Sequence, residues 1–132
     1  MQIERHKPLV ETYQYAHRIP DKEYETKLNV GFAPLQTSDP NYPKENSILG
    51  ARLEFNLVFK EYVLSGSISQ VNHLINRQVK NQEDLTKEEI DEIVAPLFDI
   101  VERITYEVTE IATDEPGLKL NFQNNATQAE GE

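Results

Sequence analysis

Cysteine and tryptophan are missing from this 132-residue sequence, and glycine occurs only five times. Without thiols the chain can build no disulfide framework, no thiolate zinc site and no cysteine nucleophile. With so few glycines it offers little from which to shape a phosphate-cradling loop, and no GxGxxG, P-loop or GxSxG pattern occurs. Positive charge is also scarce. Thirteen Lys and Arg stand against 23 Asp and Glu, a net charge of -10, which repels nucleic acid and anionic lipid. No apolar run approaches the roughly 20 residues of a membrane span. The opening Met1-Gln2-Ile3-Glu4-Arg5-His6 lacks the apolar core of a signal peptide, so a cytoplasmic location is expected.

What is present suits one globular domain. Hydrophobic residues make up 38% of the chain, enough for a core and too many for a disordered polymer. Between Leu49 and Phe59 every second residue is apolar, and the alternation resumes after Lys60-Glu61 as Tyr62, Leu64, Gly66 and Ile68. A hairpin turning at Lys60-Glu61 pairs Phe59 with Tyr62, Leu57 with Leu64, Phe55 with Gly66 and Leu53 with Ile68 on one face. Glycine at position 66 leaves room for the phenylalanine. Tyr24, Thr26, Leu28, Val30 and Phe32 form another half-buried strand ending at Pro34, and a first strand is expected from about Leu9 to His17. The stretch between Gln36 and Ser47 has loop composition.

The charge imbalance is local. Residues Glu83 to Glu115 hold twelve acids against Lys87 and Arg103, and the rest of the chain is neutral. The same segment carries a helical stripe: Ile90, Ile93, Val94, Leu97, Ile100, Val101, Ile104, Val108 and Ile111. Thr86 and Glu89 have capping-box spacing. Pro96 lacks an N–H, so a short helix to about Ala95, a kink or break, and a longer helix to about Thr113 are expected. The run from Ile104 to Thr109 alternates like a strand, but the continuing stripe and the i,i+4 spacing of Asp99, Arg103 and Glu107 favour helix. Leu118, Leu120 and Phe122 then alternate in a short extended piece, and the polar residues 123–132 are expected to fray into solvent. Fold class is therefore α+β: a mainly antiparallel sheet of about four strands packed on a long C-terminal helix, in a single domain over residues 1–122.

Candidate chemistry is sparse. His6, His17 and His73 are far apart in sequence and none has a second metal ligand at a recognised spacing, so no metal or cofactor is expected. Ser65, Ser67 and Ser69 share a polar strand face with no base beside them in sequence. Glu88, Glu89, Asp91 and Glu92 suit the positive end of a helix and lack a calcium-loop pattern. An enzyme is not expected. The remaining feature is the apolar and aromatic strip Leu53, Phe55, Leu57, Phe59, Tyr62, Leu64 and Ile68, which is either plain core beneath the helix or a groove that receives polypeptide.

Several stretches carry a likeness across most of the chain. They are Tyr24-Glu25-Thr26-Lys27-Leu28-Asn29-Val30, Ala51-Arg52-Leu53-Glu54-Phe55-Asn56-Leu57-Val58-Phe59, Pro96-Leu97-Phe98 with Arg103, and Pro116-Gly117-Leu118-Lys119-Leu120-Asn121-Phe122. In this order they resemble the SecB export chaperones, and most closely a small family of unknown function from Gram-positive bacteria grouped with SecB by fold. The chain departs from SecB after Phe122, where SecB continues into another helix, and it lacks the proline-rich aromatic stretch near the SecB start. The resemblance implies a SecB-like fold, self-association as a dimer or tetramer, and binding of unfolded or nascent polypeptide along apolar grooves without catalysis. The alternative it leaves open is an adaptor or assembly protein for one specific folded partner.

Overall fold

The computed structural model describes residues 2–121. Its first elements are β1 (Gln2–Arg5), β2 (Leu9–His17), β3 (Lys27–Leu35), β4 (Ser47–Val58) and β5 (Tyr62–Ile75). All pair antiparallel in one sheet. β1 and β2 lie end to end along one edge of β5, β4 takes its other edge, and β3 is the far edge strand.

The hairpin of β4 and β5 has the expected register: Leu53 faces Ile68, Phe55 faces Gly66 and Leu57 faces Leu64. Phe59 N–H donates to the Tyr62 carbonyl at 2.9 Å, closing the turn at Lys60-Glu61. β5 runs on to Ile75, well past the alternation that the sequence shows, because Gln70 and Asn72 stand at inward positions where apolar residues are the norm. Both are buried, Asn72 fully so, and Asn72 Nδ2 donates to the Leu49 carbonyl at 3.3 Å. A bulge between Val10 and Thr12 in β2 releases Glu11 from the ladder. Its carboxylate then reaches Arg52 at 2.9 Å and accepts from the Ser67 hydroxyl at 3.1 Å on the solvent face.

One helix, α1 (Lys87–Thr113), lies across the apolar face and packs on β4 and β5. Thr86 caps it as expected, with Glu89 N–H donating to Thr86 Oγ1 and Thr86 N–H to Glu89 Oε1. The expected break at Pro96 does not occur. Proline at that position leaves the Glu92 carbonyl without its intrahelical donor, and the Arg5 guanidinium from β1 donates to that carbonyl at 2.6 Å. A long-range partner thus supplies the bond that the helix lacks.

The buried stripe also differs from the apolar one. Ile93, Leu97, Val101, Thr105 and Thr109 recur every four residues and are all buried, whereas Ile111 is 77% exposed. Threonine is tolerated inside because its hydroxyl is satisfied. Thr109 Oγ1 donates to the Thr105 carbonyl and accepts from Leu118 N–H, both at 2.7 Å, and Thr105 shares a 2.9 Å hydrogen bond with the Tyr13 hydroxyl. Leu120 joins the core and Leu118 packs against it. Phe122 and the 123–132 tail lie outside the described residues.

Candidate functional site

The sheet face under α1 is wider than one helix. Leu53, Leu57, Leu64 and Ile68 are at most 2% exposed and Phe55 is 4% exposed, so five of the seven strip residues form the floor of the core. They share one buried cluster with Ile93, Leu97 and Val101 of α1. Phe59 and Tyr62 differ: both remain half-buried at the turn end of the hairpin.

There they join residues of β2. Tyr62 lies 5.3 Å from Phe59 and 5.0 Å from Tyr15, ring centre to ring centre, while Tyr13 packs 5.9 Å from Phe55. Burial pushes the Tyr13 and Tyr62 phenols above their ordinary value, with neighbouring Tyr15 and Glu61 adding to the rise at Tyr62. Both rings are therefore uncharged at neutral pH. The cluster is a set of flat apolar surfaces with polar tips, suited to varied side chains.

On the other side of α1, Leu28, Val30 and Phe32 of β3 pack partly against the core. Their main chain is also open. Val58 N–H points toward β3, donating to Thr26 Oγ1, while Phe59 N–H points toward β5. Since ladder groups alternate along a strand, Lys27, Asn29, Gly31, Ala33 and Leu35 bond to β4. Leu28, Val30 and Phe32 turn their N–H and C=O outward. Pro34, which has no N–H, belongs to the outward set and costs the ladder nothing. The same three residues thus combine half-buried apolar side chains with a strand edge that is unpaired among the described residues.

The rest of the surface is poor in reactive groupings. Among the described residues no set of three or more His, Asp or Glu is placed to hold a metal ion, and no helix is long and apolar enough to cross a membrane. Ser67 is held by Glu11, which is itself paired with Arg52. Sequence separation hid one pair: His6 and His73 stack with ring centres 4.7 Å apart, and the Tyr42 hydroxyl lies 3.0 Å from His73 Nδ1. A shallow groove of about 690 Å³ beside α1 is lined by Ile100, Ile104, Tyr106 and Leu120 together with the charged Glu102, Arg103, Glu107 and Lys119.

The sequence profile of a family described as a protein of unknown function, DUF1149, matches residues 1–122. The chain belongs to that family. The DUF1149 chain is similar to a protein of unknown function from Streptococcus agalactiae, whose crystal structure superposes with a TM-score of 0.82 at 34% identity, over 92% of this chain and 98% of that one. It is also similar to the Mycobacterium tuberculosis Rv1957 SecB-like chaperone, solved in complex with a ChAD peptide from the Rv1956 HigA1 antitoxin. There the TM-score is 0.50 at 13% identity, over 90% of this chain and 89% of that one. Among curated proteins none matches. The fold of the DUF1149 chain is SecB-like, with an antiparallel sheet backed by one long helix.

Proposed function

We propose that the protein is a non-catalytic, cytosolic holder of unfolded or nascent polypeptide, working as a homo-oligomer of two or four copies. One observation carries the reading: α1 roofs only the middle of the apolar sheet face, leaving Tyr15, Phe59 and Tyr62 on one side and Leu28, Val30 and Phe32 beside an unpaired edge on the other. The SecB-like fold supports it, since a relative of that fold is a chaperone seen with a bound peptide.

The energetics suit weak, reversible holding. Covering about 40 Å² on each of three partly exposed side chains gives roughly 3 kcal/mol at 25 cal/mol per Å². That corresponds to a dissociation constant in the millimolar range for one short segment. Useful affinity then requires a long client that touches several such surfaces, which repetition in an oligomer would supply. The acidic helix keeps the complex soluble and favours cationic clients.

The test is to dilute an aggregation-prone denatured protein into buffer with and without this one. Suppressed light scattering at a few-fold molar excess is expected, and no suppression overturns the reading. A scattering mass of one 15.2 kDa chain at every concentration would remove the oligomer. Recovery of one stoichiometric folded partner, in place of a heterogeneous unfolded set, would replace the holder with an adaptor.

A further inference from the structure

We propose that β1 occupies a slot on β5 that an extended segment of another polypeptide takes in its place, and that this slot selects an aliphatic residue followed two positions later by a basic one. The inference rests on the polypeptide-holding reading and adds a second, sequence-selective site to it.

β1 is a small occupant of a demanding position. It covers the β5 edge from Asn72 to Ile75, where Asn72 and Leu74 are fully buried, yet three of its four residues are exposed and only Ile3, facing Leu74, is half-buried. It is separate from β2. The ladder stops after Arg5, His6 N–H makes one more bond to the Val71 carbonyl at 2.9 Å, and pairing resumes at Leu9 facing Ser69. Pro8 stands in this gap and has no N–H to offer.

Two buried acceptors belong to this stretch of β5. Gln70 Nε2 donates to the His6 carbonyl at 2.8 Å, but Gln70 Oε1 and Asn72 Oδ1 are buried with no hydrogen-bond partner among the described residues. Such atoms carry a desolvation penalty that a new donor would relieve. A strand with an N–H in place of Pro8 brings one more donor to the break than β1 does.

The helix sets the charge preference. Pro96 leaves the Glu92 carbonyl free, and Arg5 fills that position from the strand. Glu88, Asp91 and Glu92 are exposed on the same first turns of α1, in the segment that carries the whole net charge. Aliphatic at the Ile3 position and basic at the Arg5 position is therefore the pattern that seat and field both favour.

The test uses the full chain carrying Ile3→Asp, which weakens the resident strand, and a fluorescein-labelled peptide copying residues 2–9 with Pro8→Ala. Fluorescence anisotropy is expected to show binding at least tenfold tighter to the variant than to the unsubstituted protein. Changing arginine to glutamate in the peptide is expected to reverse at least tenfold of it. Equal binding of both peptides, or of neither, by a variant whose circular dichroism is unchanged overturns the proposal. If the variant does not fold, amide shifts of the unsubstituted protein with millimolar peptide serve instead: changes at Asn72–Ile75 support the slot, and their absence overturns it. Light-scattering suppression on the same samples separates the two readings. Suppression without peptide discrimination removes only the slot, and discrimination without suppression removes only general holding.

Discussion

Acid should loosen the start of α1 through one carboxylate. Arg77 grips Glu89 with two bonds, Nε to Oε2 at 3.1 Å and Nη2 to Oε1 at 3.0 Å, and also donates to the Asp84 carbonyl. Hydrogen bonding to Arg77, then to the Thr86 backbone, holds the Glu89 carboxyl down at about 2 against an ordinary 4.5. At about 1.4 kcal/mol per tenfold change in proton affinity this sets a ceiling near 3 kcal/mol. The side chains of Arg77 and Glu89 remain 34% and 17% exposed, so solvent screening reduces the contribution to about 1 kcal/mol. The value in the folded state lies below that in the unfolded chain. The stabilisation is therefore complete above about 4.5 and is lost as the pH falls toward 2. Glu89→Gln keeps an acceptor for Thr86 and Arg77 but removes the charge. Urea unfolding should show the variant less stable by about 1 kcal/mol at pH 7, with less than half of that gap left at pH 3. A gap of the same size at both pH values would refute the electrostatic account and assign the effect to capping geometry alone.

Three further experiments probe the packing. Gly66→Ala places a Cβ against the Thr12 carbonyl oxygen and 3.0 Å from Phe55 Cζ, so unfolding by urea should show a loss of about 2–3 kcal/mol; an unchanged midpoint would mean that the ring and β2 move freely. Leu97→Ala removes a fully buried anchor of α1 and should cost about 3 kcal/mol, read as a lower melting temperature with the helix signal lost in the same transition. Arg5→Ala should destabilise by about 1 kcal/mol in the native background and by at least 0.5 kcal/mol less beside Pro96→Ala, where a restored N–H serves the Glu92 carbonyl. Strict additivity in that double-mutant cycle would show that the two residues are not linked.

The hairpin was legible because period-two alternation fixes which face is buried, and a glycine opposite a phenylalanine fixes the register. Helix α1 was legible as a stripe and a capping box. Its continuity through Pro96 was not, because the compensating donor comes from Arg5, far away in sequence. β1 has no sequence signal for a related reason: Gln2-Ile3-Glu4-Arg5 has one apolar residue and too few positions to show a period. The inner half of β5 carries Gln70 and Asn72, which break the alternation, and Thr105 and Thr109 look polar until their hydroxyl partners are known. As for the site, an alternating apolar strip reads the same whether a helix covers it or not. Leu53 and Phe59 belong to one pattern, yet the first is sealed beneath α1 and the second stands at its margin. Only the placement of one narrow helix on a wider sheet separates them.

Mapping a client on the protein by NMR tests the holding role most directly. With a permanently unfolded polypeptide added to isotopically labelled protein, amide and side-chain shifts should change at Tyr15, Phe59, Tyr62, Leu28, Val30 and Phe32. Phe59→Ser with Tyr62→Ser should abolish the first group while leaving the fold intact. Shifts confined to the polar face around Arg52 and Ser65, or none at all, would contradict the account.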